Sequence, residues 1–167
     1  KHRAIPMGNH QQAFTLVELI LVIIVLGIIS SVALPRFFNT TDFDHRFFYE
    51  DLRAALEYGQ KTAVSSGCAV RIELNSTGYE LYTNTTANCG SPATWTTQIL
   101  HPSDNDHFTG SLPTSLGYTT PAVLPDYYIF TAEGKITDNA GSQIGNESIV
   151  LSDSNSITLY GSTGFIQ

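Results

Sequence analysis

The chain has 167 residues, 42% hydrophobic and 14% charged, which suits one modest domain with a real core plus an appended segment. Lys and Arg number 8 against 15 Asp and Glu, a net charge of −7, and beyond Gly67 the only basic residues are Arg71 and Lys135. So acidic an outer part repels phosphate backbones, which argues against nucleic acid as a partner.

Residues 1–13 (KHRAIPMGNHQQA) are polar and carry Lys1 and Arg3. Basic residues ahead of a first membrane helix hold that end in the cytoplasm. Met7 is an alternative start, with residues 1–6 as an upstream extension. Phe14–Leu34 (FTLVELILVIIVLGIISSVAL) then holds one charged residue, Glu18, in an otherwise almost wholly apolar run. As a helix it measures ~31 Å, about one bilayer core. The run predicts a membrane-spanning helix. A buried core helix is one alternative, although such helices are usually shorter and keep a polar face. A secretory signal peptide, cut near Ser30, Ser31 or Ala33, is another.

Pro35 lacks an amide hydrogen and marks a kink or an end. Beyond it Phe48, Leu52, Ala55, Leu56, Gly59 and Ala63 recur at steps of three and four. Glu50, Asp51, Arg53, Glu57 and Lys61 fall mostly on the opposite side. The pattern predicts one long helix from Phe14 to about Ser66, weakened near Pro35 and at Asn39–Thr41. Asp42 or Asp44 is the expected cap of its outer half, and Gly67 the residue that ends it. An amphipathic outer half must pack on something.

A sheet is the expected partner. Ala69–Leu74 alternates, with Val70, Ile72 and Leu74 on one side; Asn75–Gly78 turns, and Tyr79–Thr83 returns as a hairpin. Asp126–Phe130, Ser148–Leu151 and Ser156–Tyr160 read as further strands, separated by turns at Asn139–Gly141, Asp153–Asn155 and Ser162–Gly164, with Phe165 and Ile166 closing the last. Short antiparallel strands against one helix give an α+β domain. Asn84–Pro121, rich in Thr, Ser, Asn and Pro, reads as a long loop, either solvated or a partner contact. Cys68 and Cys89 both lie beyond the apolar run and read as one disulfide, with two free buried thiols as the alternative.

Catalytic signatures are lacking: no phosphate loop, no Gly-x-Ser-x-Gly elbow, no CxxC pair and no HExxH helix. His101, Asp104, Asp106 and His107 cluster in one loop and suit a divalent ion or a solvated loop, without EF-hand spacing. Trp95, Tyr118, Tyr127 and Tyr128 suit stacking on sugars or a place in the core. The expectation is a non-enzymatic chain with no cofactor and no metal.

The junction AFTLVE (Ala13–Glu18), leading into the apolar run, resembles the prepilin signature of type IV pilins and type II secretion pseudopilins. Further along, FYEDLRAA (Phe48–Ala55), YGQKTAVSSG (Tyr58–Gly67) and FTAEGKI (Phe130–Ile136) are similar to minor pilins and H-type pseudopilins. ALPRF (Ala33–Phe37) and SGCAV (Ser66–Val70) resemble minor pilins of the mannose-sensitive haemagglutinin type. The resemblance implies a leader over 1–13, a membrane and filament-core helix over 14–34, and a periplasmic α+β domain over 35–167. It implies a prepilin peptidase cutting between Ala13 and Phe14, where the family usually has Gly before the cut, and methylation of the new Phe14 amine. It implies an inner-membrane anchor with a cytoplasmic N-terminus, an assembly platform, later display on a pilus, and other pilin subunits as partners through the N-terminal helix.

Glu18 can be argued on physical grounds alone. A carboxylate in hydrocarbon costs a few kcal/mol and is usually paired and functional. Cleavage before Phe14 creates a cationic amine, which methylation keeps charged. The expected pair joins Glu18 of one subunit to the Phe14 amine of a neighbour. The alternatives are that Glu18 serves its own helix N-terminus through the dipole, or meets its own amine one turn away.

Overall fold

A computed structural model describes residues 14–37, 40–84, 89 and 95–167, with side chains of the first helix described through Ser31. The chain divides into two compact units that meet between Thr40 and Thr41.

The first unit contributes α1 (Leu16–Phe37). The helix runs through Pro35 and is described as far as Phe37. The second helical stretch, α2, covers Thr40–Ser66. The expected helix from Phe14 to about Ser66 is thus seen as two stretches, with Phe38 and Asn39 between them outside the described residues. Asp42 and Asp44, the expected caps, lie within the helical stretch α2. Asp42 still sits in the first turn, where the helix dipole favours negative charge. At the other end Gly67 adopts a φ of 70°, and its N–H bonds the Ala63 carbonyl at 3.0 Å. That left-handed residue closes the helix and turns the chain toward the first strand.

The strands form two antiparallel sheets where the sequence suggested one. In the first, β1 (Val70–Asn75) pairs with β2 (Gly78–Thr83) from Val70↔Thr83 to Asn75↔Gly78, and with β6 (Asp126–Phe130) from Val70↔Phe130 to Leu74↔Asp126. The β1–β2 turn is held by Asn75 Oδ1, which accepts from Thr77 N at 2.9 Å and Thr77 Oγ1 at 2.7 Å. Outside β2 run β3 (Thr97–Gln98) and β4 (Thr109–Ser111); outside β6 runs β7 (Ile136–Thr137). The second sheet has the order β10 (Phe165–Ile166), β9 (Ser156–Tyr160), β8 (Asn146–Leu151), β5 (Tyr118–Thr120). Backbone bonds from β7 tie the sheets together: Ile136 N donates to Gly161 O at 2.8 Å, and Ile136 O accepts from Ile144 N at 3.1 Å. All the flanking strands are two or three residues long.

One core joins α2 to both sheets. The helix supplies Phe48, Leu52, Ala55, Leu56 and Ala63; the first sheet supplies Val70, Ile72, Leu74, Leu81 and Phe130; the second supplies Ile149, Leu151, Ile157 and Leu159. Each fully buried Leu or Ile stabilises the domain by roughly 1.5–3 kcal/mol. Gly59 faces the side chains of Phe130 and Val70, so α2 passes directly over β1 and β6. Polar ties fix its height on the second sheet: Tyr49 and Gln60 donate to the Ser156 and Thr163 carbonyls, each at 3.4 Å. Within Asn84–Pro121 the described part is no free loop: Ile99, Phe108 and Leu116 are buried, and Phe108 stacks on Tyr58 of α2 at 5.1 Å.

Candidate functional site

The N-terminal segment is the first candidate. Thr15 Oγ1 accepts the Glu18 N–H at 3.2 Å, and the Thr15 carbonyl accepts the amides of Glu18 and Leu19 at 3.1 and 3.2 Å. Thr15 is therefore the N-cap of α1, and Glu18 stands three residues in, in the first turn. Thr-x-x-Glu before an apolar run is a capping signature, legible in the sequence and missed there. Glu18 is thus placed for service to its own helix N-terminus in the single chain, and it is exposed.

The side chains that follow are apolar and uncovered. Phe14 is 82% exposed, and the large hydrophobics from Leu16 to Ile29 are exposed as well. An apolar surface of this extent on a folded chain marks contact with other protein or with lipid. Among the described residues no helix is long and apolar enough to cross a membrane. Side chains of α1 are described only through Ser31, short of the ~20 residues a crossing needs. Ala13 lies outside the described residues, and of Pro35 the structure gives only its place within α1.

Cys68 and Cys89 are joined by a disulfide, with Cα atoms 4.9 Å apart. It fastens the chain after β2 to Cys68, two residues past the α2 end.

The His101–His107 loop is bonded to itself. His101 Nδ1 lies 2.7 Å from Ser103 Oγ and 3.6 Å from Asp104 Oδ1, and the His101 ring packs on Phe108 at 4.6 Å. Among the described residues no group of three or more His, Cys, Asp or Glu is placed to hold a metal ion.

The four aromatic residues singled out for sugars separate. Tyr128 is 3% exposed, and Tyr118 packs against the core and donates to the Gly78 carbonyl at 3.0 Å. Burial pushes both hydroxyls well above the usual tyrosine range, so they stay protonated. Trp95 and Tyr127 instead join Tyr82 around the Arg71 guanidinium, whose carbon lies 5.2, 5.0 and 5.0 Å from the three ring centres. The sequence marked Arg71 only as one of two outer cations and Tyr82 only as part of a strand, because the rings come from separate parts of the chain.

A cleft of about 430 Å³ at the start of α2 is lined by Asp42, His45, Arg46, Tyr49, Asp153 and Asn155, among others. His45 clasps it shut on one side, with Nε2 2.8 Å from Ser115 Oγ and Nδ1 3.7 Å from Asp153 Oδ2.

Residues 8–34 match the family model described as the prokaryotic N-terminal methylation motif, the motif of type IV pilins and one that implies a membrane-anchored end. The chain is similar to the crystal structure of the type IV minor pilin FimU of Pseudomonas aeruginosa, at 19% identity and a TM-score of 0.47, over 77% of this chain and 90% of that one. No curated protein matches.

Proposed function

We propose that this chain is a minor pilin, a structural subunit of a type IV pilus of the mannose-sensitive haemagglutinin kind. The observation that carries the reading is the uncovered apolar face of α1 from Leu16 onward, with Glu18 in its first turn and the methylation motif over the same residues. In this reading prepilin peptidase cuts between Ala13 and Phe14, and the Phe14 amine is methylated. The helix first lies in the inner membrane, N-terminus in the cytoplasm and domain in the periplasm. At the assembly platform it moves into a bundle of identical or homologous subunit helices. Transfer from lipid to a bundle of like helices changes apolar contact little, so assembly need not be one-way.

Glu18 then exchanges a service to its own helix for an ion pair with the Phe14 amine of a neighbour. In a dry bundle that attraction is strong, and the desolvation of both groups offsets part of it. Two features support leaving nucleic acid out. Arg71 pairs with Glu73 at 3.2 Å, and Lys135 pairs with Glu133 at 2.7 Å, so the two cations past Gly67 have local partners. No step of this role requires catalysis or a cofactor.

The test is intact mass with N-terminal sequencing of membrane-purified protein. The expected result is a methylated start at Phe14. A chain retaining Ala13, or starting after Ala33, removes the reading. An H-type pseudopilin of type II secretion shares each feature used here. Deleting the gene separates the two, since pilus loss with normal secretion supports the pilin and the reverse supports the pseudopilin.

A further inference from the structure

The first two turns of α2 carry an apolar pair that the core of the domain does not use. Phe43 is 73% exposed and Phe47 65%, whereas Phe48 and Leu52 on the same helix are buried. One helical turn separates Phe43 from Phe47, so the two rings share a face. At roughly 100° per residue that face lies opposite the one that carries Leu52 into the core. Further along α2 the same outer face turns charged. Glu50, Glu57 and Lys61 follow on it, with Glu57 paired to Arg53 at 3.5 Å and to Lys61 at 3.4 Å. The exposed aromatic surface is therefore confined to the end of α2 nearest α1.

We propose that Phe43 and Phe47 seat the start of α2 in the periplasmic surface of the bilayer that holds α1. The inference rests on the anchored reading of α1 given above. Chain length selects the occupant. Residues 34–37 and 40–43 are helical, which limits the span from Leu34, where the apolar run ends, to Phe43 to about 22 Å at full stretch. An anchored α1 thus keeps both rings within reach of the headgroups. An amphipathic helix buries rings of this kind ~5–10 Å into the boundary between headgroups and acyl chains. A neighbouring subunit laid along α2 fits less well, because the apolar stretch stops at Phe47 and such a partner would meet Glu50, Glu57 and Lys61. Asp42, Asp44 and Glu50, all exposed, outnumber Arg46 around the pair, so the contact is apolar and draws nothing from anionic headgroups. Leaving the membrane then means lifting two rings of the domain as well as α1.

Trp95 is the chain's single tryptophan, so Trp95→Phe gives a dark background for a reporter placed elsewhere. The full chain with that change and one reporter, Phe47→Trp or Ile24→Trp, is placed in phosphocholine nanodiscs whose lipids carry bromine at a shallow or a deep acyl position. Thermal transitions check that each variant folds. The expected result is quenching of the Ile24→Trp emission mainly by deep bromine, and an at least about twofold loss of the Phe47→Trp emission mainly with shallow bromine. Adding Phe43→Glu should restore the Phe47→Trp emission. Quenching that survives Phe43→Glu overturns the proposal. A quenched Ile24→Trp beside an unquenched Phe47→Trp also overturns it and leaves the anchor standing; a blue-shifted but unquenched Phe47→Trp emission does the same and assigns the pair to another protein surface. If neither reporter is quenched, the anchored reading of α1 falls, and this proposal with it.

Discussion

The Tyr79 hydroxyl on β2 donates a 2.5 Å hydrogen bond to Asp51 Oδ2 on α2, and the ring beneath it is 1% exposed. The bond fixes the helix on the first sheet at a place where the ring also meets Phe48, with centroids 6.0 Å apart. A hydrogen bond to a charged acceptor at such a site is worth ~1.5–3 kcal/mol. Asp51→Ala should lower unfolding stability by about that amount, as read by chemical denaturation. Tyr79→Phe should cost less, because Asp51 is half-buried and regains water.

Three tyrosines make stability fall at high pH. Burial raises the Tyr79, Tyr118 and Tyr128 hydroxyls above the usual tyrosine range, with Asp51 adding to the first and Asp126 to the third. A raised acid group stabilises fully below its unfolded value, near pH 10, and the contribution is lost as pH rises toward the folded one. The expected loss above about pH 10 is up to ~1.4 kcal/mol per pH unit for each tyrosine. Denaturation midpoints between pH 9 and 11 check this, and Tyr79→Phe should make the decline shallower.

The Cys68–Cys89 bridge spans a sequence separation of 21 residues. Loop-closure entropy for that length gives ~3 kcal/mol, in a model-dependent way. Reduction, or replacing both cysteines by Ser, should therefore lower the melting temperature by several degrees while the α2–sheet core still folds. A domain that melts unchanged under reductant would count against the bridge as a stabilising tie.

Two glycines should answer alanine in opposite ways. A Cβ on Gly161 would strike the Ile144 carbonyl, at the place where backbone bonds join the two sheets. Gly161→Ala should cost ~3 kcal/mol. Gly117 has nothing within 4 Å of a built Cβ and no positive φ. Gly117→Ala should be neutral or stabilise by ~0.5 kcal/mol, through loss of unfolded-state freedom. Thermal unfolding of the pair distinguishes close backbone approach from mere flexibility.

Glu18→Val removes the carboxylate and leaves the Thr15 cap and the apolar run in place. Cleavage before Phe14 should continue, and entry into sheared filaments should drop. Incorporation equal to that of the unaltered chain would sink the inter-subunit ion pair and leave Glu18 as a residue of its own helix end.

The parts of the fold that could be read in advance are those with a period. Phe48, Leu52, Ala55 and Leu56 announce α2, and Val70, Ile72 and Leu74 announce β1, because burial on one face leaves a rhythm in the residues. The flanking strands have none. Thr109–Ser111 contains only Thr, Gly and Ser, and it pairs with β2 where Gly78 lets the two backbones close together and Gly110 leaves room for the Tyr79 ring. Ile99, Phe108 and Leu116 were hidden in a polar stretch, since single anchors carry no period. At the candidate sites the capping role of Thr15 was legible as Thr-x-x-Glu. The Arg71 cluster was not, because Tyr82, Trp95 and Tyr127 meet only after strands separated by tens of residues have paired.

The borders of both sheets are stubs of two or three residues, which leaves few unpaired main-chain groups for another polypeptide to copy. Many such domains can be crowded shoulder to shoulder without zipping into a continuous cross-strand aggregate.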